Sequence, residues 1–252
     1  MTIGETTASA WLPVALASEL PAPGSEPVPA KLGGEALVAF RDMSGCLGAL
    51  EDACAHRKIP LHFGHVDEYG LRCAVHGWTF DCAGKRSDAA AAFNPPASVR
   101  NYPVAEADGL IFSYVGSEDP APPAPRPSSF GTAPRWIKAS VDNALLEWAA
   151  SPQAAAYRPQ GGPRWSPWTP GAPVPADDAH RLIAMPPFGG RATVYVEAPT
   201  ATQDAFGEVP LTQSRADEIL APFEEPPLRI EAADAVEDPV RIVLAALFTT
   251  PL

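Results

Sequence analysis

Four side chains, in two short pairs, have the types and spacing for metal chemistry. Cys54 and His56 form one pair, Cys73 and His76 the other, and the sixteen residues 57–72 separate them. Two thiolates and two imidazoles can close a tetrahedral zinc, yet structural zinc sites usually group like with like, as C-x2–4-C and H-x3–5-H. Here each pair offers one sulfur and one nitrogen. That mixture suits a [2Fe–2S] centre in which one iron takes both cysteines and the other both histidines, so that each loop serves both irons. Zinc stays open as the alternative at this level.

Two such loops must be held side by side, and the surrounding sequence reads as a small β unit. Strand-like runs lie at 36–40, 46–50, 71–75 and 110–115, rich in apolar and β-favouring residues between turn signals. Asp42-Met43-Ser44-Gly45 reads as a hairpin turn, and Asp67-Glu68-Tyr69-Gly70 as the turn before the third run. Prolines at 120, 122, 123, 125, 127 and 134 favour extended chain over a packed core. The expected organisation is a domain at 1–118, a proline-rich linker at 119–134 and a second domain at 135–252.

The second domain reads as α+β with long loops. Residues 136–141 alternate like a strand, 143–156 have helix-forming composition interrupted by Pro152, and 159–175 are proline-rich around Trp165 and Trp168. Strands are expected at 181–185, 192–196 and 242–248, and a short helix at 215–223. The apolar, strand-like segment 241–252 fits docking into a sheet or a subunit contact.

Composition narrows the class. Of 252 residues, 46% are hydrophobic and 19% charged, close to globular averages, which disfavours a disordered or fibrous chain. A net charge of −12 repels phosphate backbones and anionic lipid heads, so nucleic acid and membrane surfaces are not expected partners. No run approaches the roughly 18–20 apolar residues of a membrane span, and no basic region precedes the first apolar stretch. A cytoplasmic protein is expected. Four cysteines in this length are too sparse for a secreted disulfide scaffold.

The pattern C-x-H, sixteen residues, C-x2-H resembles the Rieske iron–sulfur proteins. The flanks Ala55-His56-Arg57 and His76-Gly77-Trp78-Thr79-Phe80-Asp81 resemble the oxygenase branch, the ring-hydroxylating and O-demethylating Rieske non-heme iron oxygenases. Trp11-Leu12-Pro13-Val14-Ala15, then Ser18-Glu19-Leu20, is similar to the opening of the vanillate demethylase type. The resemblance covers about residues 10–116. It implies an N-terminal all-β Rieske domain followed by a reduced α+β, helix-grip-like domain. It also implies cluster ligands Cys54, His56, Cys73 and His76, with Arg57 and Trp78 close around them. A reductase or ferredoxin would donate electrons, and the assembly would be an oligomer of the family's trimer-like kind. Where the high-potential respiratory branch has disulfide cysteines and hydroxyls near the cluster, this chain has Ile59, Val75, Trp78 and Phe80. A potential towards the low end of the Rieske range of about −150 to +300 mV is therefore expected.

Oxygenase subunits of that family also carry a mononuclear iron on two histidines and a carboxylate, with a signature near D-N-x2-D-x2-H-x4-H. Residues 141–147, Val-Asp-Asn-Ala-Leu-Leu-Glu, resemble its beginning. Aligned on Asn143, the histidine positions fall on Ala149 and Ala154; shifted so that Glu147 takes the acid's place, they fall on Ala150 and Ala155. After His76 the sequence holds one histidine, His180. The resemblance thus implies a shortened, degenerate catalytic half with no mononuclear iron of its own. The implied role is a Rieske oxidoreductase subunit relaying single electrons to a mononuclear iron on a partner oxygenase chain, with Asp142 and Glu147 as candidate carboxylates bridging subunits. The alternatives are a structural or regulatory subunit whose cluster does not cycle, and a complete oxygenase with unconventional ligands such as Asp177, Asp178 and His180.

Other candidates have plainer readings. His62 and His65 read as solvated loop residues rather than alternative ligands or proton-coupled groups. Cys46, in a strand-like run, and Cys82, in the turn 81–84, read as free or buried thiols rather than a pair or metal ligands. His180 reads as a residue of a capping loop. Arg57, Lys58, Arg72, Lys85, Arg86 and Arg100 crowd the ligand loops, either as a docking surface for an acidic donor or as a mixed-charge face with Glu51, Asp52, Asp67, Glu68, Asp81 and Asp88. Trp165 and Trp168 either line a partner surface or anchor a loop.

Overall fold

A computed structural model describes residues 10–32, 34–93, 96–116, 124–125, 136–151, 165–167, 180–185, 190–198, 208–211, 243–244 and 246–247. The chain divides into two compact units, one of Thr6–Pro127 and one of Met1–Glu5 with Ser128–Leu252.

The first unit is built from nine short strands. In chain order they are β1 (Ala10–Leu16), β2 (Val28–Leu32), β3 (Glu35–Arg41), β4 (Leu47–Glu51), β5 (His65–Asp67), β6 (Gly70–Arg72), β7 (Thr79–Phe80), β8 (Val104–Ala107) and β9 (Leu110–Val115). They form three three-stranded sheets, β1-β9-β8, β2-β3-β4 and β5-β6-β7, all antiparallel. Turn chemistry sets the registers. Asp108 and Gly109, at φ 50° and 77°, form the two-residue link between β8 and β9, a pair of left-handed residues that matches the twist of a tight hairpin. At the β3–β4 turn the Asp42 carboxylate receives the Ser44 and Cys46 N–H groups, and Gly45 takes φ 88°.

The core under the ligand loops joins Val38, Phe40, Leu50, Leu61, Leu71, Phe80 and Val99 to Cys54 and Cys73. Gly84 is fixed here, because a Cβ would stand 2.1 Å from the Val99 carbonyl oxygen. One sequence expectation needs correction: the run 71–75 is not a strand throughout. β6 ends at Arg72, because Cys73 turns back to bond with Trp78 and Gly77. Likewise Cys46 lies just before β4.

The second unit carries β10 (Trp136–Asp142), α1 (Asn143–Ala149), β11 (Trp165–Pro167), β12 (His180–Ala184), β13 (Arg191–Glu197) and β14 (Glu208–Leu211). The strands make one mixed sheet, ordered β11-β12-β13-β10-β14. Pro210 pairs on the terminal strand β14, where its missing N–H is tolerated. Along β10 the alternate residues Ile137, Ala139 and Val141 pack with Leu145, Leu146 and Ala149 of α1, a period of two meeting a helical face. The unit is α+β, in keeping with the sequence.

Residues 242–248 depart from the strand expected there. Val243, Leu244, Ala246 and Leu247 are helical and buried in the same core. The segment Val-Leu-Ala-Ala-Leu is dominated by strong helix formers, and Val243 and Leu247 at i and i+4 share one face. Trp165 lies in a strand within the proline-rich stretch, while Trp168 and the helix expected at 215–223 fall outside the described residues.

Candidate metal centre

Both ligand loops close with the same two backbone bonds. The Cys54 N–H donates to the Ile59 carbonyl at 2.8 Å, and the Lys58 N–H donates to the Cys54 carbonyl at 2.8 Å. In the second loop the Cys73 N–H donates to the Trp78 carbonyl at 2.8 Å, and the Gly77 N–H to the Cys73 carbonyl at 3.1 Å. The turns require a left-handed residue four places after each cysteine: Lys58 at φ 57° and Gly77 at φ 69°. The sulfurs sink into the core, Cys54 at 1% and Cys73 at 2% exposure, and the histidines stand at the loop tips.

The loop tips meet. The His56 and His76 rings lie 4.5 Å apart, edge to face. His76 is exposed and His56 partly buried. His56 Nδ1 is buried with no hydrogen-bond partner, an uncommon condition for a polar atom. Desolvation, helped by the positive neighbours His76, Arg57 and Arg86, holds the His56 imidazole below the ordinary histidine value, favouring the neutral form that binds metals. At Cys54 burial pushes the thiol up; backbone N–H groups of His56 and Arg57 directed at its sulfur oppose this, and the adjoining Cys73 thiol adds to the rise. Two adjacent buried sulfurs, an orphaned imidazole nitrogen and a second imidazole beside it form a donor set that fits a [2Fe–2S] group with mixed ligands. Such N–H groups aimed at sulfur are among the features that set a cluster's potential.

A stack steadies His56 from behind. Trp78 lies parallel to its ring at 4.7 Å and 15°. Arg86 covers the far face of the system, its guanidinium carbon 3.9 Å from the Trp78 ring, and Asp88 clamps Arg86 in two bonds of 2.6 and 3.0 Å. The Arg86 hydrogen bond is the leading cause that holds the Asp88 carboxyl below its usual range. Sequence reasoning placed Trp78 near the centre and missed the Arg86–Asp88 clamp; the spacing Arg-x-Asp after the second loop was its only signal.

His62 is not the solvated loop residue expected. Its N–H donates to Asp52 Oδ1 at 2.9 Å, and its Nδ1 lies 2.5 Å from Asp52 Oδ2, which ties the inter-ligand segment to the base of the first loop. His65 is exposed at the start of β5. Most of the basic cluster is already paired: Lys58 with Glu51, Arg72 with Asp67, Arg86 with Asp88 and Arg100 with Glu35. That favours the mixed-charge face over a free cationic surface. Arg57 and Lys85 are exposed. So are Phe63, at 67%, and Val75, at 54%.

In the second unit, Asp142 pairs with Arg191 at 2.8 Å, and Arg191 also bonds the hydroxyl and carbonyl of Ser140. Asn143 bonds Gly190 through its N–H, and its side-chain Oδ1 is buried without a partner. Glu147 is exposed on α1, whereas Ala149 is buried in the apolar core and Ala150 exposed. His180 opens β12 rather than sitting in a capping loop. Asp177, Asp178, Ala154 and Ala155 lie outside the described residues.

Residues 10–103 match the model of the Rieske [2Fe–2S] domain. Over 121 residues the chain is 41% identical to the 3-chlorobenzoate-3,4-dioxygenase oxygenase subunit of Comamonas testosteroni, covering 46% of this chain and 28% of that protein. Over 130 residues it is 40% identical to the tert-butanol monooxygenase / tert-amyl alcohol desaturase oxygenase subunit of Aquincola tertiaricarbonis, covering 49% of this chain and 27% of that protein. The match thus spans less than a third of either relative. Among solved structures, dicamba monooxygenase with non-heme iron and dicamba is 28% identical, with a TM-score of 0.49 over 64% of this chain and 52% of that one.

Proposed function

Residues 10–103 are a Rieske [2Fe–2S] domain, and on that premise we propose that the chain is the electron-relaying part of a Rieske oxygenase system. Cys54 and Cys73 would hold one iron of the cluster and His56 and His76 the other. When bound, the group supplies a store for one electron at a time. The single observation that carries the reading is the convergence of two identically closed loops on two buried sulfurs and one orphaned imidazole nitrogen.

The chain's own residues then have distinct tasks. The apolar floor of Phe40, Leu61, Leu71 and Phe80 keeps water from the sulfur side. His76 presents the nitrogen side to the surface, flanked by exposed Val75, so a redox partner reaches the centre there. Trp78 and Arg86 fix the plane of His56. The donor would be a reductase or ferredoxin, and the acceptor a mononuclear iron on a catalytic oxygenase chain in an oligomer of the family's kind. Asp142 and Glu147 are the carboxylates of this chain proposed to lie between the two metals. The absence of histidine at Ala149 and Ala150 supports placing that iron on another chain.

Iron and acid-labile sulfide counted per chain on anaerobically purified protein, with the electron-spin-resonance spectrum of the reduced sample, test the reading. About two irons and two sulfides with a Rieske-type signal are expected. About three irons would put a mononuclear site on this chain and overturn the relay to a partner. Rapid reoxidation of the reduced protein on mixing with a catalytic oxygenase subunit, dioxygen and substrate is the functional counterpart. A cluster that stays reduced would make the chain a structural subunit.

A further inference from the structure

Away from the paired loops, three more metal-ligating side chains converge in the first unit. Asp42 and Cys46 frame the β3–β4 turn, and Cys82 lies in the turn 81–84 that follows β7. One ligand atom from each lies within 4.8 Å of the other two, and Cys82 Sγ is 3.4 Å from Asp42 Oδ2. The carboxylate is already oriented. Its Oδ1 takes the Ser44 N–H at 2.8 Å, the Ser44 hydroxyl at 2.7 Å and the Cys46 N–H at 2.9 Å, which leaves Oδ2 facing sulfur. Among the described residues no lysine or arginine pairs with Asp42.

We infer that Asp42, Cys46 and Cys82 are a zinc site with three protein ligands and solvent in the fourth position. With Zn–S near 2.3 Å and Zn–O near 2.0 Å, a tetrahedral site has a sulfur–oxygen edge of about 3.5 Å and a sulfur–sulfur edge of about 3.8 Å. The observed 3.4 Å edge matches the first. The 4.8 Å limit on the rest leaves at most about 1.0 Å to close between the sulfurs and about 1.3 Å between Cys46 and Asp42, within reach of the exposed Cys46 side chain. Thiolate pairs select zinc over harder divalent ions. Binding replaces two thiol protons, which pass to solvent, and leaves Asp42 ionised throughout.

A disulfide between the same sulfurs would leave Asp42 Oδ2 facing sulfur with no cation beside it, whereas a metal ion engages all three groups at once.

The position of the site gives it a purpose independent of how the cluster is used. Cys46 and Cys82 stand 36 positions apart and bracket Cys54, His56, Cys73 and His76. A metal joining them closes the segment that contains both ligand loops.

Full-length holoprotein, washed with a chelator and titrated with zinc chloride, tests the site. Zinc and iron per chain are counted after gel filtration, and the reduced spin-resonance spectrum is recorded on each sample. One zinc per chain with unchanged iron is expected. C46S, C82S and D42N should each weaken zinc binding by at least the roughly 10–100-fold that loss of an outer-shell partner costs, the two cysteine variants more than D42N, all with the cluster signal intact, which also reports folding. Zinc should slow cluster loss on heating in the unaltered protein and not in C46S. Three results overturn the site: equal zinc uptake by the C46S/C82S double variant, zinc gained only as iron is lost, or no uptake by protein whose two thiols titrate as free or as a disulfide. Should C82S fail to fold, C46S at its exposed position decides the matter alone.

Discussion

The two ligand loops share a backbone plan and differ in what fills it. Each cysteine bonds through its N–H to the carbonyl five residues on, and through its carbonyl to the N–H four residues on. The left-handed fourth residue is glycine in the second loop and lysine in the first. Left-handed backbone costs a residue with a Cβ about 1–2 kcal/mol, so the first loop holds strain that the second avoids. The histidines differ too. His56 is stacked against Trp78 and clamped through Arg86 and Asp88, while His76 is exposed. One loop is rigid at its ligand and strained at its hinge; the other is relaxed at its hinge and open at its ligand. The same backbone closure fixes both turns, and each sequence satisfies it by a different route.

The equivalence of the loops is tested most severely at sulfur. C54S and C73S should each abolish the cluster's visible absorption and its reduced spin-resonance signal; survival in either variant breaks the symmetry of roles. Next comes the stack. Trp78→Ala should leave a cluster that forms but is lost several-fold faster on dilution into chelator, because His56 loses its support, whereas Val75→Ala beside His76 should change that rate little. The hinge residues should respond in opposite directions. Gly77→Ala should destabilise the protein by about 1–2 kcal/mol, although the nearest atom to a new Cβ is the movable Arg72 guanidinium at 2.5 Å. Lys58→Gly should stabilise it by about 0.5 kcal/mol, the relieved strain offset by the greater chain entropy of glycine. Denaturant midpoints of the holoproteins read both.

The smallest effect is electrostatic. The hydrogen bond from Arg86, then the Thr79 and Ala90 N–H groups, hold the Asp88 carboxyl below its ordinary value against the opposing burial. Its folded pKa is thus lower than its unfolded one, so its contribution is complete above the unfolded value, near 3.9, and fades as pH falls below that. Asp88→Asn should flatten the acid limb of the stability profile below about pH 4 and change its slope little near neutrality.

The site was more legible than the scaffold. Cys54, His56, Cys73 and His76 stand out because metal ligation demands particular residue types at short spacing, and the structure brings their loops together. The left-handed Lys58, the Asp52–His62 tie and the Arg86–Asp88 clamp were not legible, since each depends on contacts across the fold rather than on local pattern. In the first unit β3, β4 and β9 follow from apolar runs bounded by turn residues such as Asp42 and Gly45, whereas β1, β2, β5, β7 and β8 were not legible as strands. Nor was the end of β6 at Arg72, because Cys73 and Val75 have strand-like side chains while the backbone obeys the loop closure. At 242–248 apolar content alone does not separate a buried strand from a buried helix, and the Leu-Ala-Ala-Leu run decides for helix.

The first unit opens with β1 and closes with β9, and those two strands are hydrogen-bonded neighbours, Ala10 opposite Val115. The polypeptide therefore enters and leaves at a single seam. A module whose ends meet can be joined to, or inserted into, unrelated chains without opening its core. In evolutionary terms the unit is portable, and what travels with it is both cysteine–histidine loops together with the apolar core beneath them.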